Sequence, residues 1–85
     1  MSKNKYLVEI IDYNPDAVTV DGFDDCIIGI VDTFEGTKLL YSEKKIVDKL
    51  KKEMTEEEAI EYFDFNILGA YVGEYTPVYL MDLEN

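Results

Sequence analysis

Carboxylates are the chief polar chemistry in this chain: nineteen Asp and Glu face eight Lys, with no His and one Cys in 85 residues. Catalysis has few carriers. Without His, no side chain of ordinary pKa titrates near neutrality for acid–base work. Without Arg, there is no bidentate clamp for an oxyanion or phosphate. The serines are Ser2, near the N-terminus, and Ser42, at an expected helix cap. Cys26 has no His to ionise it and opens an apolar run, so it reads as a small core residue rather than a nucleophile. Close carboxylate pairs arise by chance at this acid content. The residues therefore disfavour an enzyme, and they assign no catalytic residue, metal or cofactor.

Two constellations remain. Asp12, Asn14 and Asp16 match the first three ligand positions of an EF-hand loop, but Ala17 replaces the required Gly, Pro15 intrudes, and Phe23 stands at the twelfth position. An Asx-turn is the better reading, with a weak cation site at Asp12, Asn14 and Asp16 as the alternative. The second constellation is Glu56, Glu57, Glu58, Glu61 and Asp64 on one helical segment. Glutamates suit a helix N-terminus and a solvated face. As a functional surface, the same patch fits a basic partner. Tyr62 and Phe65, three residues apart, share a neighbouring face and are expected to pack on the sheet or to cover a partner. Asn66 is expected to end the helix in a left-handed conformation. The residues that folding does not obviously demand are Glu61, Tyr62, Asn66, Glu74 and Thr76. Together with Asp21 and Asp24 they are the candidate binding residues.

These side chains must be held by elements that the spacing predicts. Tyr6 to Ile11 alternates as a first strand. Asn14-Pro15 and Asp21-Gly22 mark turns, and Val18 and Val20 form a short edge strand between them. Cys26 to Thr33 reads as a central strand with both faces buried; Gly29 within it marks a bulge or a close backbone approach. Phe34-Glu35-Gly36 turns the chain into an antiparallel return over Thr37 to Tyr41. Ser42 caps a helix whose apolar stripe is Ile46, Val47, Leu50 and Met54. Thr55 and Glu58 form a capping box for a second helix, which buries Ala59, Ile60, Phe63 and Ile67. A last hairpin joins residues 69–72 to 78–81. The expected fold is α+β: an antiparallel sheet of about four strands carrying two consecutive helices on one face, in one domain over residues 1–85.

The net charge of −11 is extreme for this length and is unevenly spread. Residues 38–52 carry six of the eight lysines, and no lysine follows Lys52. This balance disfavours direct nucleic-acid binding, which needs clustered cations. It suits a basic protein partner instead. A lone Cys excludes an internal disulfide and fits a reducing, cytoplasmic setting. No apolar run is long enough to span a bilayer, and the N-terminal segment lacks the pattern of a secretory signal.

The segments DGFDDCIIGIVDTF, LLYSEKKIVDKL and MTEEEAIEYFDFNILGAYVGEYTPVYL resemble a family of small, acidic, uncharacterised bacteriophage proteins. The match spans roughly residues 21–80. Asp21, Gly22, Phe23 and Gly29 fit its first motif, with Cys26 where Ala is usual. Tyr41 and Lys45 fit its helix start. Glu61, Tyr62, Phe63, Phe65, Asn66, Gly69, Gly73, Glu74, Thr76 and Pro77 fit its last block. The resemblance implies a phage origin, hence the host cytoplasm, without naming a mechanism. The leading expectation is a non-enzymatic interaction protein with an acidic surface, acting as an inhibitor of a nucleic-acid-handling or defence protein. One alternative is a small-molecule or metal site, or a small enzyme, at Asp21, Asp24, Glu61, Asn66 and Glu74. Another is a homodimeric structural module whose interface uses Tyr62, Phe65, Tyr71 and Tyr75.

Overall fold

In the computed structural model, which describes residues 4–70 and 73–81, three α-helices pack with a three-stranded mixed sheet. The α+β class is as expected; the first element is not. Lys5–Tyr13 is a helix, α1, rather than a strand. Asn4 caps it by accepting from the Tyr6 N–H at 2.8 Å, and the Asn4 amide also donates to the carbonyls of Asp24 and Ile27 at 3.1 and 3.0 Å. A short apolar run satisfies both periodicities. Here the cap and the i, i+1, i+4 row Tyr6, Leu7 and Ile10, which faces the core, prevail over the alternation.

The chain then turns at Asn14, whose side-chain oxygen accepts from the Asp16 N–H at 3.1 Å, so the Asx-turn reading holds. Residues 17–20 form no strand. They are tied down individually, by the Val18 N–H on the Tyr75 carbonyl and the Val20 N–H on the Tyr41 hydroxyl at 2.8 Å. A 3-10 turn at Asp24–Cys26 leads into β1, Ile27–Thr33.

Strand β1 pairs antiparallel with β2, Gly36–Ser42, with Ile27 opposite Tyr41 and Ile30 opposite Leu39. A bulge lies between Ile27 and Gly29, as Gly29 had marked. Its extra residue, Ile28, shifts the alternation, so Ile27 and Ile30 share a face with Leu39 and Tyr41. The expectation that both faces of β1 are buried fails because Ile27 is its one buried residue, and β1 is not central: β2 is, in the order β1-β2-β3.

Ser42 caps α2, Glu43–Leu50, by accepting from the Lys45 N–H. Thr55 and Glu58 close the expected capping box on α3, Glu56–Tyr62. The helix then widens into a π-helical segment, Phe63–Leu68, closed by the Gly69 N–H on the Asp64 carbonyl at 3.0 Å. Strand β3, Val78–Leu80, pairs parallel with β2. Two helices between β2 and β3 supply the long crossover that a parallel pair requires. The expected last hairpin is thus absent where it can be followed: residues 69–70 end the helix, and residues 71–72 lie outside the described residues. Among the described residues the sheet is mixed, with three strands rather than about four, and it is accompanied by a third helix.

One core forms from Ile10 of α1, Cys26, Ile27, Leu39 and Tyr41 of the sheet side, and Ile46, Phe63 and Ile67 of the later helical segments. Tyr79 lies edge-on to Phe63 and tilted against Tyr41, tying β3 into it. In the expected stripe of the second helix, Ala59, Phe63 and Ile67 are buried but Ile60 is exposed.

Candidate functional site

Folding accounts for several of the residues singled out by sequence. Gly22 adopts a positive φ of 88°, which favours glycine. Its carbonyl accepts from Lys49 Nζ at 2.8 Å, and the same ammonium pairs with Asp25 at 3.0 Å and lies 5.5 Å from the centre of the Phe23 ring. The Asp-Gly-Phe turn is therefore a seat for Lys49 of α2. The hydrogen bond from Lys49 holds the Asp25 carboxyl below its ordinary range and raises the ammonium's own pKa. Cys26 is buried, and loss of solvation pushes its thiol up to about 11, so it is protonated and inert at neutral pH.

Thr76 closes the turn over residues 73–76: its hydroxyl donates to the Gly73 carbonyl at 2.7 Å, and its N–H bonds the same oxygen. That is a structural duty which the sequence reading had left unassigned. Glu74 sits exposed on this turn, and Asp24 sits exposed on the 3-10 turn. Asn66 is not a left-handed cap, since no non-glycine residue among those described has a positive φ. It is exposed within the π-helical segment, and its amide is not buried against a hairpin.

Glu61, Tyr62 and Asn66 do come together. With Met54, Glu58 and Phe65 they line an open groove of about 430 Å³ along the outer side of α3 and the π-helical segment. Phe65 is 80% exposed and Tyr62 43% exposed, so the expected packing of these rings on the sheet is not what the chain does with them. Glu56, Glu57 and Asp64 are exposed on the same helical stretch. Asn66 also borders a second cleft, of about 200 Å³, with Asp21, Val20, Ile67, Pro77 and Tyr79. Neither cleft gathers more than two of Asp21, Asp24, Glu61, Asn66 and Glu74. Among the described residues, no group of three or more Cys, Asp or Glu side chains is placed to hold a metal ion.

Of the proposed dimer tyrosines, Tyr71 lies outside the described residues, and Tyr75 covers the β1–β2 turn: a Cβ placed on Gly36 would meet its ring at 3.0 Å. Sequence reasoning missed Gly69. A Cβ there would lie 2.9 Å from the Asp64 carbonyl oxygen and 3.3 Å from that of Phe65, so glycine is what lets the wide turn close. The signal was a glycine directly after a helical stripe, which a hairpin reading absorbed. No helix among the described residues is long and apolar enough to cross a membrane. No family model, curated protein or solved structure matches the chain.

Proposed function

We propose that this chain is a non-enzymatic interaction protein that docks a basic surface of another protein through the α3 and π-helical face. The observation that carries the reading is the groove in which the exposed rings of Tyr62 and Phe65 lie with Glu58 and Glu61. Exposed aromatic rings are typical anchors of protein interfaces. Surrounding carboxylates select a cationic partner and speed its encounter. None of the ion pairs among the described residues involves Glu57, Glu58 or Glu61, and no lysine follows Lys52.

The resemblance to small acidic phage proteins supports a setting in the cytoplasm of an infected host. The partner is then a nucleic-acid-handling or defence protein whose phosphate-binding channel is occupied by carboxylates in place of phosphates. The test is affinity capture from host lysate with the intact protein, a Glu57→Lys/Glu61→Lys variant and a Phe65→Ala variant. A specific partner should be retained in about 0.05 M salt, fall away by about 0.5 M salt, and be lost at least about ten-fold in either variant. Capture that ignores both salt and charge reversal would sink the acidic-face reading.

A further inference from the structure

A separate cleft of about 330 Å³ lies between α1 and the sheet, lined by Tyr6, Glu9, Tyr13, Ile30, Asp32 and Thr37. Its composition follows from two periodicities. Tyr6, Glu9 and Tyr13 recur at i, i+3 and i+7 on α1, one helix face. Ile30 and Asp32 alternate on β1, and Asp32 is the cross-strand partner of Thr37 on β2. The result is a shallow slot with an apolar floor at Ile30, two phenol rings, and carboxylates from both walls.

Among the described residues, no cation forms an ion pair with either carboxylate. The ion pairs of the described residues join Lys38 to Glu35, Lys44 and Lys51 to Asp48, and Lys49 to Asp25, and none of these involves Glu9 or Asp32. Among the described residues, the side-chain partner of Asp32 is a neutral hydroxyl, that of Thr37, which donates to it at 3.0 Å. The Tyr6 ring already attracts an ammonium group, since Lys5 Nζ lies 5.2 Å from its centre. That lysine does not reach the carboxylates within ion-pair distance.

The geometry points to this slot as a binding site for an alkylammonium cation, whose charge is held between Glu9 and Asp32 and whose methylene stem lies on the Tyr6 and Tyr13 rings and Ile30. Cation–π attraction and carboxylate pairing favour the charge, and the apolar floor favours an organic cation over a hydrated metal ion. The site is distinct from the α3 groove and does not depend on the function proposed for it. The same chemistry is offered by a free polyamine and by a lysine side chain of another protein.

The test is an NMR titration of the isotope-labelled full chain with n-butylammonium chloride, with n-butanol and sodium chloride as controls. Saturable shifts are expected at the amides of Glu9, Tyr13, Asp32 and Thr37 with n-butylammonium alone. The Glu9→Gln/Asp32→Asn variant, which keeps an acceptor for Thr37, should weaken binding at least about ten-fold while leaving the rest of the spectrum in place. Tyr13→Ala, at an exposed position, should weaken it several-fold. Parallel titrations with spermidine and with an N-acetyl-lysine amide distinguish the sources: the tighter of the two identifies the native ligand as a free polyamine or a protein side chain. Equal shifts from sodium chloride or n-butanol, or unchanged affinity in the double variant, overturn the proposal.

Discussion

Tyr41 shows how a single residue is fixed by competing terms. It is fully buried, and its hydroxyl accepts from the Val20 N–H, which favours ionisation. Loss of solvation outweighs this and pushes the phenol from 10.0 up to about 12. Cys26 is raised in the same way, from 9.0 to about 11. In both cases the unfolded chain releases its proton first as pH rises. The stability is therefore fully present below the unfolded values and is lost progressively from pH 9.0 towards about 12. Denaturant midpoints measured across that range should fall with pH. Tyr41→Phe should remove part of the slope while lowering neutral-pH stability by about 1–3 kcal/mol, because the Val20 N–H loses its partner. A flat alkaline profile for the parent protein would contradict this account.

At the scale of elements, the informative feature is the passage from α3 into the π-helical segment. Widened turns of this kind recur at functional sites. Here the wide turn coincides with the outward placement of Phe65 and Asn66 beside Tyr62, while Phe63 and Ile67 stay buried. Gly69 makes its closure sterically possible. Gly69→Ala should cost about 1–3 kcal/mol, the usual penalty for forcing a methyl into filled space, since the atoms it meets are backbone carbonyls that cannot swing aside. Thermal unfolding followed by circular dichroism checks the magnitude. An alanine variant as stable as the parent would show that the segment readily rewinds as an α-helix.

Across the whole molecule, a net charge of −11 acts on a compact body whose radius of gyration is 13.0 Å. Such a density of like charge opposes compaction. The described ion pairs are largely exposed, so they offset little of it. The melting temperature should therefore rise by several degrees between about 0.01 M and 0.5 M sodium chloride, as the Debye length shortens from about 30 Å to a few ångströms. A melting temperature indifferent to salt would mean that the acids are compensated locally. The direction is opposite to that expected for partner capture, which salt should weaken, so one salt series distinguishes folding from docking.

Some features were legible in the residues because they are set within a few positions of the chain. The Ser42 cap, the Thr55 and Glu58 capping box, the Asn14 turn, the hairpin joining β1 to β2 and the bulge at Gly29 depend on local backbone hydrogen bonds and local sterics. The α+β class followed from them. Other features were decided between distant segments. The run at Tyr6 to Ile11 fits a strand or a helix equally, and it became α1 on a sheet face where Ile10 could be buried, capped by an Asn4 whose amide reaches Asp24 and Ile27. The parallel register of β3 beside Tyr41 and the exposure of Phe65 likewise depend on packing across the whole chain. So does the placing of Glu9 and Asp32, twenty-three positions apart in the chain, along one cleft that no local pattern announces. Periodicity says which side chains share a face. Only the tertiary structure decides what that face is turned toward.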